Sequence, residues 1–274
     1  MKLTLLIVAI ALLSGCGITS KLGGGGTPQV GETVLFKSGP ITYSEGKIEK
    51  IEDGKFEIRA GTKIAKADSA DVYAIPAKGQ KADVKPGDNV VAFNYEIYWE
   101  GGEVKNVTAD LIEVEKASGG KLNVAPDKVI KVSPTATAII KQTIETRAFD
   151  DLGKSKKPVL PKDWKPKDGE KVAAQWSFGS WHVAIIKHVN ANNIDIDWQN
   201  GWSDGTVGLD KVAPYPTATN PFPAVGDYVI LKPQSDTEEW KFATVTAVNG
   251  AEADVKLADG KTKKVKNLDF IPLG

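Results

Sequence analysis

Residues 169–186, GEKVAAQWSFGSWHVAII, contain the pattern that decides the fold. Gly169, an acidic residue and one further residue precede Val172, where a first short apolar stretch begins. From Trp181 to Ile186, small and β-branched residues alternate with a period of two, which is typical of a β-strand. The segment therefore predicts two consecutive strands, the second of which is opened by an aromatic residue.

The same pattern occurs four times along the chain. The copies begin with Gly, an acidic residue, any residue and Val, at Gly31, Gly87, Gly169 and Gly226. The second strand of each copy opens with an aromatic residue, at Tyr43, Trp99, Trp181 and Trp240. Intervals of 56, 82 and 57 residues separate the four glycines, so the long middle interval divides the copies into two pairs.

Each copy continues with a polar turn and further short strands. Asp259-Gly260 in the fourth copy favours a hairpin, and that copy closes with an acidic residue, an apolar stretch and a proline at 269–272. Four or five short strands in about 50 residues indicate a small, strongly bent antiparallel barrel, and a unit of that size buries little core alone. The sequence therefore predicts an all-β fold of four small barrels in two tandem pairs.

The repeated pattern resembles Tudor domains and related SH3-like barrels. The resemblance implies an aromatic cage in the third copy, whose walls would be Trp176, Trp181, Trp198 and Trp202. Such a cage attracts a methylated ammonium or guanidinium, because ring faces bind cations. The alternative is that these tryptophans pack at the seam between copies. Trp181 favours that alternative, since its position is aromatic in every copy.

The N-terminus reads MKLTLLIVAIALLSGC over residues 1–16. Its apolar run is shorter than the about 20 residues that a membrane-spanning helix needs, and it is typical of a signal peptide. Leu13-Ser14-Gly15-Cys16 resembles the lipobox of bacterial lipoproteins, which implies cleavage before Cys16 and attachment of lipid to its sulfur. Because Gly17 follows, and not Asp, the resemblance implies the outer membrane of the bacterial cell envelope. An ordinary secretory signal with a chance cysteine is the alternative.

The chain divides into seven segments on these grounds. They are a signal peptide (1–15), a lipidated cysteine with a Gly-rich flexible tether (16–30), the first copy (31–77), the second copy (87–134), a helical and then Pro- and Lys-rich connector (135–168), the third copy (169–216) and the fourth copy (226–274). The connector is predicted to be a hinge between the two pairs.

Composition excludes several function classes. The formal net charge of zero argues against nucleic acid as a partner, and the single cysteine excludes an internal disulfide or a Cys-rich metal site. His182 and His188 are predicted to share one face of a strand, but no further ligands accompany them, so no metal or other cofactor is predicted. The sequence contains no GxSxG, P-loop or GxGxxG motif that would support catalysis.

The function predicted on this basis is that of a non-catalytic envelope lipoprotein that binds a ligand through the aromatic residues of the third copy. Its predicted partners are membrane lipid, through Cys16, and an envelope protein or a small cationic ligand. The alternative is a structural or scaffolding envelope lipoprotein in which the tryptophans pack between copies. An envelope hydrolase is the third hypothesis and has the least support.

Overall fold

The computed structural model describes residues 28–95, 98–217 and 223–274. The predicted signal peptide, Cys16 and most of the tether lie outside these residues. In the three described ranges the chain forms twenty β-strands and one α-helix, so the predicted all-β class is confirmed. None of the helical structure in these ranges has the length and apolarity that a membrane crossing requires.

The strands fall into four sets of five in chain order. Set 1 consists of β1 (Thr33–Lys37), β2 (Thr42–Glu52), β3 (Lys55–Ala60), β4 (Lys63–Asp68) and β5 (Val72–Ala74). Set 2 consists of β6 (Asn89–Asn94), β7 (Tyr98–Val107), β8 (Ile112–Lys116), β9 (Lys121–Val124) and β10 (Val129–Lys131). Set 3 consists of β11 (Lys171–Gln175), β12 (Trp181–Val189), β13 (Asn193–Trp198), β14 (Gly205–Gly208) and β15 (Val212–Pro214). Set 4 consists of β16 (Tyr228–Leu231), β17 (Lys241–Asn249), β18 (Glu252–Leu257), β19 (Thr262–Lys266) and β20 (Phe270–Leu273).

All four sets have the same antiparallel topology. The first four strands pair in sequence order, and the fifth returns to pair with the first, as in the order β14-β13-β12-β11-β15. The long second strand of each set contains a register shift at the same place, for example between Ile186 and His188 in β12. Because a β-bulge bends a strand and increases its twist, we expect each set to bend at this position.

Two shared cores join the sets in pairs. Tyr43 of set 1 lies opposite Trp99 of set 2 where β2 pairs with β7, and both rings are buried in a core common to the two sets. In the second pair, the backbone N–H of Trp240 donates to the carbonyl of Trp181 at 2.9 Å, and both indoles are buried in the core between sets 3 and 4. The aromatic residue repeated in every copy is therefore a packing residue between sets.

The helix α1 (Pro134–Ser155) contacts both pairs. It begins after Ser133, whose side chain accepts a hydrogen bond from the backbone N–H of Ala136, and proline at its first position is preorganised for the helix. Ile140 belongs to the core between sets 1 and 2, whereas Phe149, nine residues later, packs on the core between sets 3 and 4. One element therefore supports the two pairs together.

The segment that follows α1 is attached to set 4. The N–H of Val159 donates to the carbonyl of Pro272 at 2.9 Å, and Lys157 and Gly274 exchange two backbone hydrogen bonds at 2.8 and 3.2 Å. These bonds extend the ladder of β20 by a short irregular stretch. The sequence predicted a hinge in this Pro- and Lys-rich connector and contained no signal for its attachment to set 4.

Candidate functional site

Four rings meet at one end of set 3, and we call them the aromatic cluster: Trp176, His182, Trp198 and Trp202. The centroid of Trp202 lies 4.7 Å from the centroids of both Trp176 and His182. Trp198 lies beneath them, 5.4 Å from Trp176 and 6.1 Å from both His182 and Trp202. These separations are those of rings packed directly on one another.

Adjacent strands of set 3 bring the rings together. Trp176 directly follows β11, His182 is the second residue of β12, and Trp198 ends β13. Trp202 lies in the loop before β14, where its N–H donates to the side-chain oxygen of Asn200 at 3.1 Å. β12 lies between β11 and β13 and is antiparallel to both. The end of β11, the start of β12 and the end of β13 therefore lie at the same edge of the sheet, and this brings the rings together.

The end of α1 supports the turn between β11 and β12. The side chain of Gln175 donates to the carbonyls of Lys154 and Gly179, at 3.2 and 3.3 Å. Gly179 has a φ of +88°, and a Cβ atom there would lie 2.7 Å from the Lys154 side chain, so only glycine fits this close approach. The turn contains Phe178, two residues after Trp176 in the chain, and its side chain is 81% exposed.

Trp181 does not belong to the aromatic cluster, although the resemblance placed it there. Side chains alternate between the two faces of a strand, so Trp181 and His182 point in opposite directions. Trp181 is 1% exposed and lies in the core shared with set 4. His182 occupies the place that the sequence analysis gave to Trp181.

The prediction that His182 and His188 share a face is wrong. The bulge after Ile186 adds a residue to β12, and this reverses the alternation of the residues beyond it. His188 is therefore exposed and lies beside the carboxylate of Asp168, with 3.5 Å between its Nδ1 and the Asp168 Oδ2. Among the described residues there is no group of three or more His, Cys, Asp and Glu side chains that could hold a metal ion.

Exposure differs sharply within the aromatic cluster. Trp198 is buried and Trp176 is partly buried, whereas Trp202 is 42% exposed. A Cβ atom at Gly205 would lie 2.8 Å from the Trp198 Nε1, so the backbone of β14 closes over this indole. Trp198 is therefore the floor of the cluster, and Trp202 with the edge of Trp176 forms its outer surface.

His182 is uncharged at neutral pH in this position. Burial lowers the pKa of its imidazole below the usual range, and the negative charge of Glu239 opposes this only in part. The side-chain nitrogen of Asn200, 3.4 Å from Nδ1, can only donate, so the proton of the neutral ring is assigned to Nε2, which faces the Ser180 hydroxyl at 3.1 Å. The inner side of the cluster is thus neutral, with a carboxylate nearby.

The positions equivalent to Trp176 and His182 carry different chemistry in the other sets. In set 1 they are Ser38 and Ser44, whose hydroxyls are 2.9 Å apart. In set 2 they are Asn94 and Glu100, and the Asn94 amide donates to the buried Glu100 carboxylate at 3.0 Å. In set 4 they are Pro233 and Lys241. At these two equivalent positions, only set 3 among the four sets carries two rings, although set 2 exposes Tyr95 and Tyr98 at the turn between β6 and β7.

The sequence prediction did not place His182 in this cluster, where its ring packs against Trp198 and Trp202. It also did not indicate the exposure of Phe178. Strand alternation was the available signal for His182: once Trp181 is assigned to the seam between sets, its neighbour must face the opposite side. For the exposure of Phe178 in the turn after β11, the sequence contained no comparable signal.

No protein-family model matches the chain, and no curated protein sequence matches it. Among solved structures, the chain is similar to the tandem Agenet domains 3-4 of ADCP1, at 19% identity and a TM-score of 0.26, over 37% of this chain and 77% of that one. It is also similar to the AGD34 unit of Arabidopsis thaliana AGDP1, at 13% identity and a TM-score of 0.28, over 47% of this chain and 88% of that one. A third similarity is to the four MBT repeats of Drosophila melanogaster Sfmbt in complex with the peptide RHR(me)KVLR, at 10% identity and a TM-score of 0.16, over 89% and 88% of the two chains. At TM-scores this low, the similarities do not establish a common fold.

Proposed function

We propose that this protein is a non-catalytic binding module that recognises a small cation or a cationic side chain on the outer surface of the aromatic cluster. The observation that carries the proposal is the 42% exposure of Trp202 above three rings that are largely withdrawn from solvent. Each of the four sets is, in this proposal, a small barrel of the SH3 or Tudor type. Set 3 is the one adapted for recognition.

The proposed mode of binding is contact with an open aromatic surface. A cation is attracted to an indole face within about 6 Å of the ring centroid, and each such contact contributes about 0.5–2 kcal/mol. The planes of Trp176 and Trp202 are inclined at 53°, so their outer faces form a shallow angle into which a methylated ammonium or guanidinium fits. The rings are too close together to enclose a cation on four sides, and we therefore expect weak, reversible binding.

Electrostatics around the aromatic cluster favour a positively charged ligand. His182 carries no charge at neutral pH, so its ring does not repel a cation bound to Trp202. Glu239 is close enough to act on the pKa of His182, and its carboxylate contributes negative potential at the same place. This negative potential would repel an anion.

We further propose that the protein is a lipoprotein of the bacterial cell envelope, anchored in the outer membrane by acyl chains on Cys16. The lipobox-like sequence supports this, and the four consecutive glycines at 23–26 have the composition of a linker. Two or three acyl chains give stable anchoring where one chain is marginal. Recognition would then take place at the membrane surface, with a protein or small cationic ligand of the envelope.

A scaffolding function is the second candidate, and the burial of Trp198 favours it. If the cluster served only to close the end of set 3, Trp202 would be its outermost packing residue. The two functions differ in what removal of the Trp202 ring does. Loss of ligand binding without loss of stability indicates recognition, whereas loss of stability alone indicates packing.

The test is a fluorescence titration of the protein with choline and with dimethylarginine. We expect saturable quenching in the wild type and its loss in Trp202→Ala, with the midpoint of thermal unfolding nearly unchanged. Tyr95→Ala is the matched control, because it removes an aromatic ring that is 69% exposed in set 2 and should leave quenching intact. Quenching that is absent in the wild type, or equal in Trp202→Ala, would exclude this recognition site.

A further inference from the structure

An open groove of about 420 Å³ lies between α1 and the loop that follows β8 of set 2, at residues 117 and 118. Side chains three or four positions apart share one face of a helix, and such a face of α1 forms the floor of the groove. The floor includes Ile139, Gln142, Thr146, Asp150 and Lys154. At about 1.5 Å of rise per residue, it is about 22 Å long, which is far longer than a single cationic group.

The groove ends beside the turn that carries the aromatic cluster. Lys154 is the last residue of the floor, and a Cβ atom at Gly179 would lie 2.7 Å from its side chain. The side chain of Gln175 donates to the Lys154 carbonyl at 3.2 Å. The same turn begins with Trp176 and contains Phe178. The groove and the aromatic cluster are therefore neighbouring parts of one surface.

Phe178 provides an exposed apolar contact on this turn. The turn is closed by two backbone hydrogen bonds, from the N–H of Gly179 to the Trp176 carbonyl at 2.9 Å and from the N–H of Trp176 to the Ser180 carbonyl at 2.7 Å. Phe178 is 81% exposed. A rigid aromatic residue of this kind is a typical anchor in protein interfaces, because little conformational freedom is lost when a partner covers it.

The charges that line the groove are paired, apart from one carboxylate. Arg147 pairs with Glu115, and Lys154 pairs with Asp151 at 3.8 Å. Asp150 also lines the groove and forms no ion pair within the three described ranges. The unpaired charge of the groove is thus negative, and it lies one helical turn before Lys154, at the end nearest to set 3.

A second carboxylate lies near the same end. Burial raises the pKa of the Asp150 carboxyl, and the nearby charge of Glu239 also raises it. Glu239 acts on the pKa of His182 in the aromatic cluster as well, so it lies close to both the groove and the cluster. Lys241 is the opposing charge near Asp150. This end of the groove therefore favours a basic group, whereas the remainder favours uncharged residues.

Uncommitted hydrogen-bonding groups line the remainder of the groove. Gln142 is exposed and makes no side-chain hydrogen bond within the described part of the chain, and an amide offers both a donor and an acceptor. Every residue of a peptide except proline presents one backbone donor and one acceptor. Ile139 adds apolar surface between these polar groups. The lining therefore suits a peptide backbone with small side chains.

We propose that the ligand of the aromatic cluster is an extended segment of a partner protein, which places a basic residue on Trp202, an apolar residue on Phe178 and about seven uncharged residues along α1. The number follows from the length of the groove at about 3.3 Å per extended residue. This proposal rests on the function proposed above and adds the class of ligand. The cation is then one side chain of a longer contact, which compensates for the weakness of the aromatic contact alone.

The test is a calorimetric titration of the protein with free dimethylarginine and with a peptide that carries dimethylarginine at its centre. One Leu and then alternating Ser and Ala flank the centre, to about seven residues on each side, so either chain direction can fill the groove. We expect the peptide to bind about tenfold more tightly than free dimethylarginine, because the groove adds contacts to the same complex.

Two variants of α1 locate the added contacts. Gln142→Trp places a large ring in the groove and should reduce the affinity for the peptide to that for free dimethylarginine, which should itself be unchanged. Glu145→Trp is the matched control, since Glu145 is exposed on α1 and does not line the groove. It should bind both ligands as the wild type does. Thermal unfolding of both variants checks that the helix is intact.

Three results would overturn the proposal. The peptide could bind no more tightly than free dimethylarginine, or Glu145→Trp could weaken it as much as Gln142→Trp does. In the third, phosphatidylcholine vesicles bind and the peptide does not, which would assign the exposed rings to a membrane surface. All three leave binding of free dimethylarginine at Trp202 as a separate question. Conversely, tight peptide binding that survives Trp202→Ala but not Gln142→Trp would support the groove and exclude the aromatic site.

Discussion

The indole of Trp202 lies 4.7 Å from the imidazole of His182, so a ring that is 42% exposed rests on one that is 6% exposed. The two rings are inclined at 57°, and Trp176 completes the contact on the other side of Trp202. This arrangement fixes an exposed indole at the end of set 3. A preorganised aromatic surface of this kind loses little conformational freedom when it binds a ligand.

Trp198→Ala should destabilise the protein much more than Trp202→Ala. Trp198 is 2% exposed and packs beneath the other rings, so its removal leaves a cavity in the core of set 3. Truncation of a buried aromatic residue costs about 3–5 kcal/mol. Chemical denaturation measures the difference in the free energy of unfolding. A loss below about 1 kcal/mol would show that Trp198 is not the floor of the cluster.

Stability should fall as the pH falls below the ordinary imidazole pKa. Burial lowers the pKa of His182 from its reference value of 6.5, so between 6.5 and the lower folded-state pKa the unfolded chain binds more protons than the folded one. The free energy of unfolding therefore increases as the pH rises through this window and decreases as the pH falls through it. Glu239 limits the size of the effect, because its negative charge favours the protonated ring.

His182→Gln separates this contribution from those of other groups, because glutamine does not titrate. On acidification from about pH 7 to about pH 5, the wild type should lose stability relative to His182→Gln. Binding of dimethylarginine to the wild type should weaken over the same range, as a positive charge forms under Trp202. A stability difference that does not depend on pH would contradict the account of His182.

Gly153→Ala should destabilise the protein, although alanine is the better helix former. In an exposed helix the change would stabilise by about 0.5–1 kcal/mol. Here a Cβ atom would overlap the ring of Phe242, so the helix must move away from set 4. Overpacking of this kind costs about 1–3 kcal/mol. In a Phe242→Ala background the same change should instead stabilise, and a double-mutant cycle on unfolding free energies reports the reversal.

Cys16→Ser should abolish lipid attachment. Serine lacks the sulfur to which diacylglycerol is joined, so we expect an unlipidated precursor that retains its signal peptide. Metabolic labelling with a fatty acid, followed by mass determination, measures both properties. Normal acyl labelling of the variant would end the lipoprotein interpretation, while leaving the aromatic site untouched.

Local sequence signals predicted the strands well because they depend on neighbouring residues. The alternation after Trp181 and the hairpin at Asp259-Gly260 both correspond to observed strands of the structure. The resemblance misplaced Trp181 because the family spacing does not specify which face of β12 each position occupies. His188 was misplaced because a one-residue bulge after Ile186 leaves no clear mark in the sequence.

The remaining features depend on contacts between residues far apart in the chain. Gly153 touches Phe242, and nothing in the sequence around either residue indicates that contact. The buried amide of Asn89, which has no hydrogen-bond partner in the described part of the chain, is likewise not indicated by the residues around it in the sequence. Both features depend on tertiary packing, which the local patterns of a single sequence do not indicate.

Indole N–H NMR during a titration with dimethylarginine tests the central claim most directly, because each of the seven tryptophans gives its own resonance. If the aromatic cluster is a recognition surface, the Trp202 resonance will shift saturably, the Trp176 resonance will follow it, and those of Trp181 and Trp240 will stay in place. If no resonance shifts, or if the shifts are confined to Trp181 and Trp240 at the seam between sets 3 and 4, the cluster serves packing and the account is contradicted.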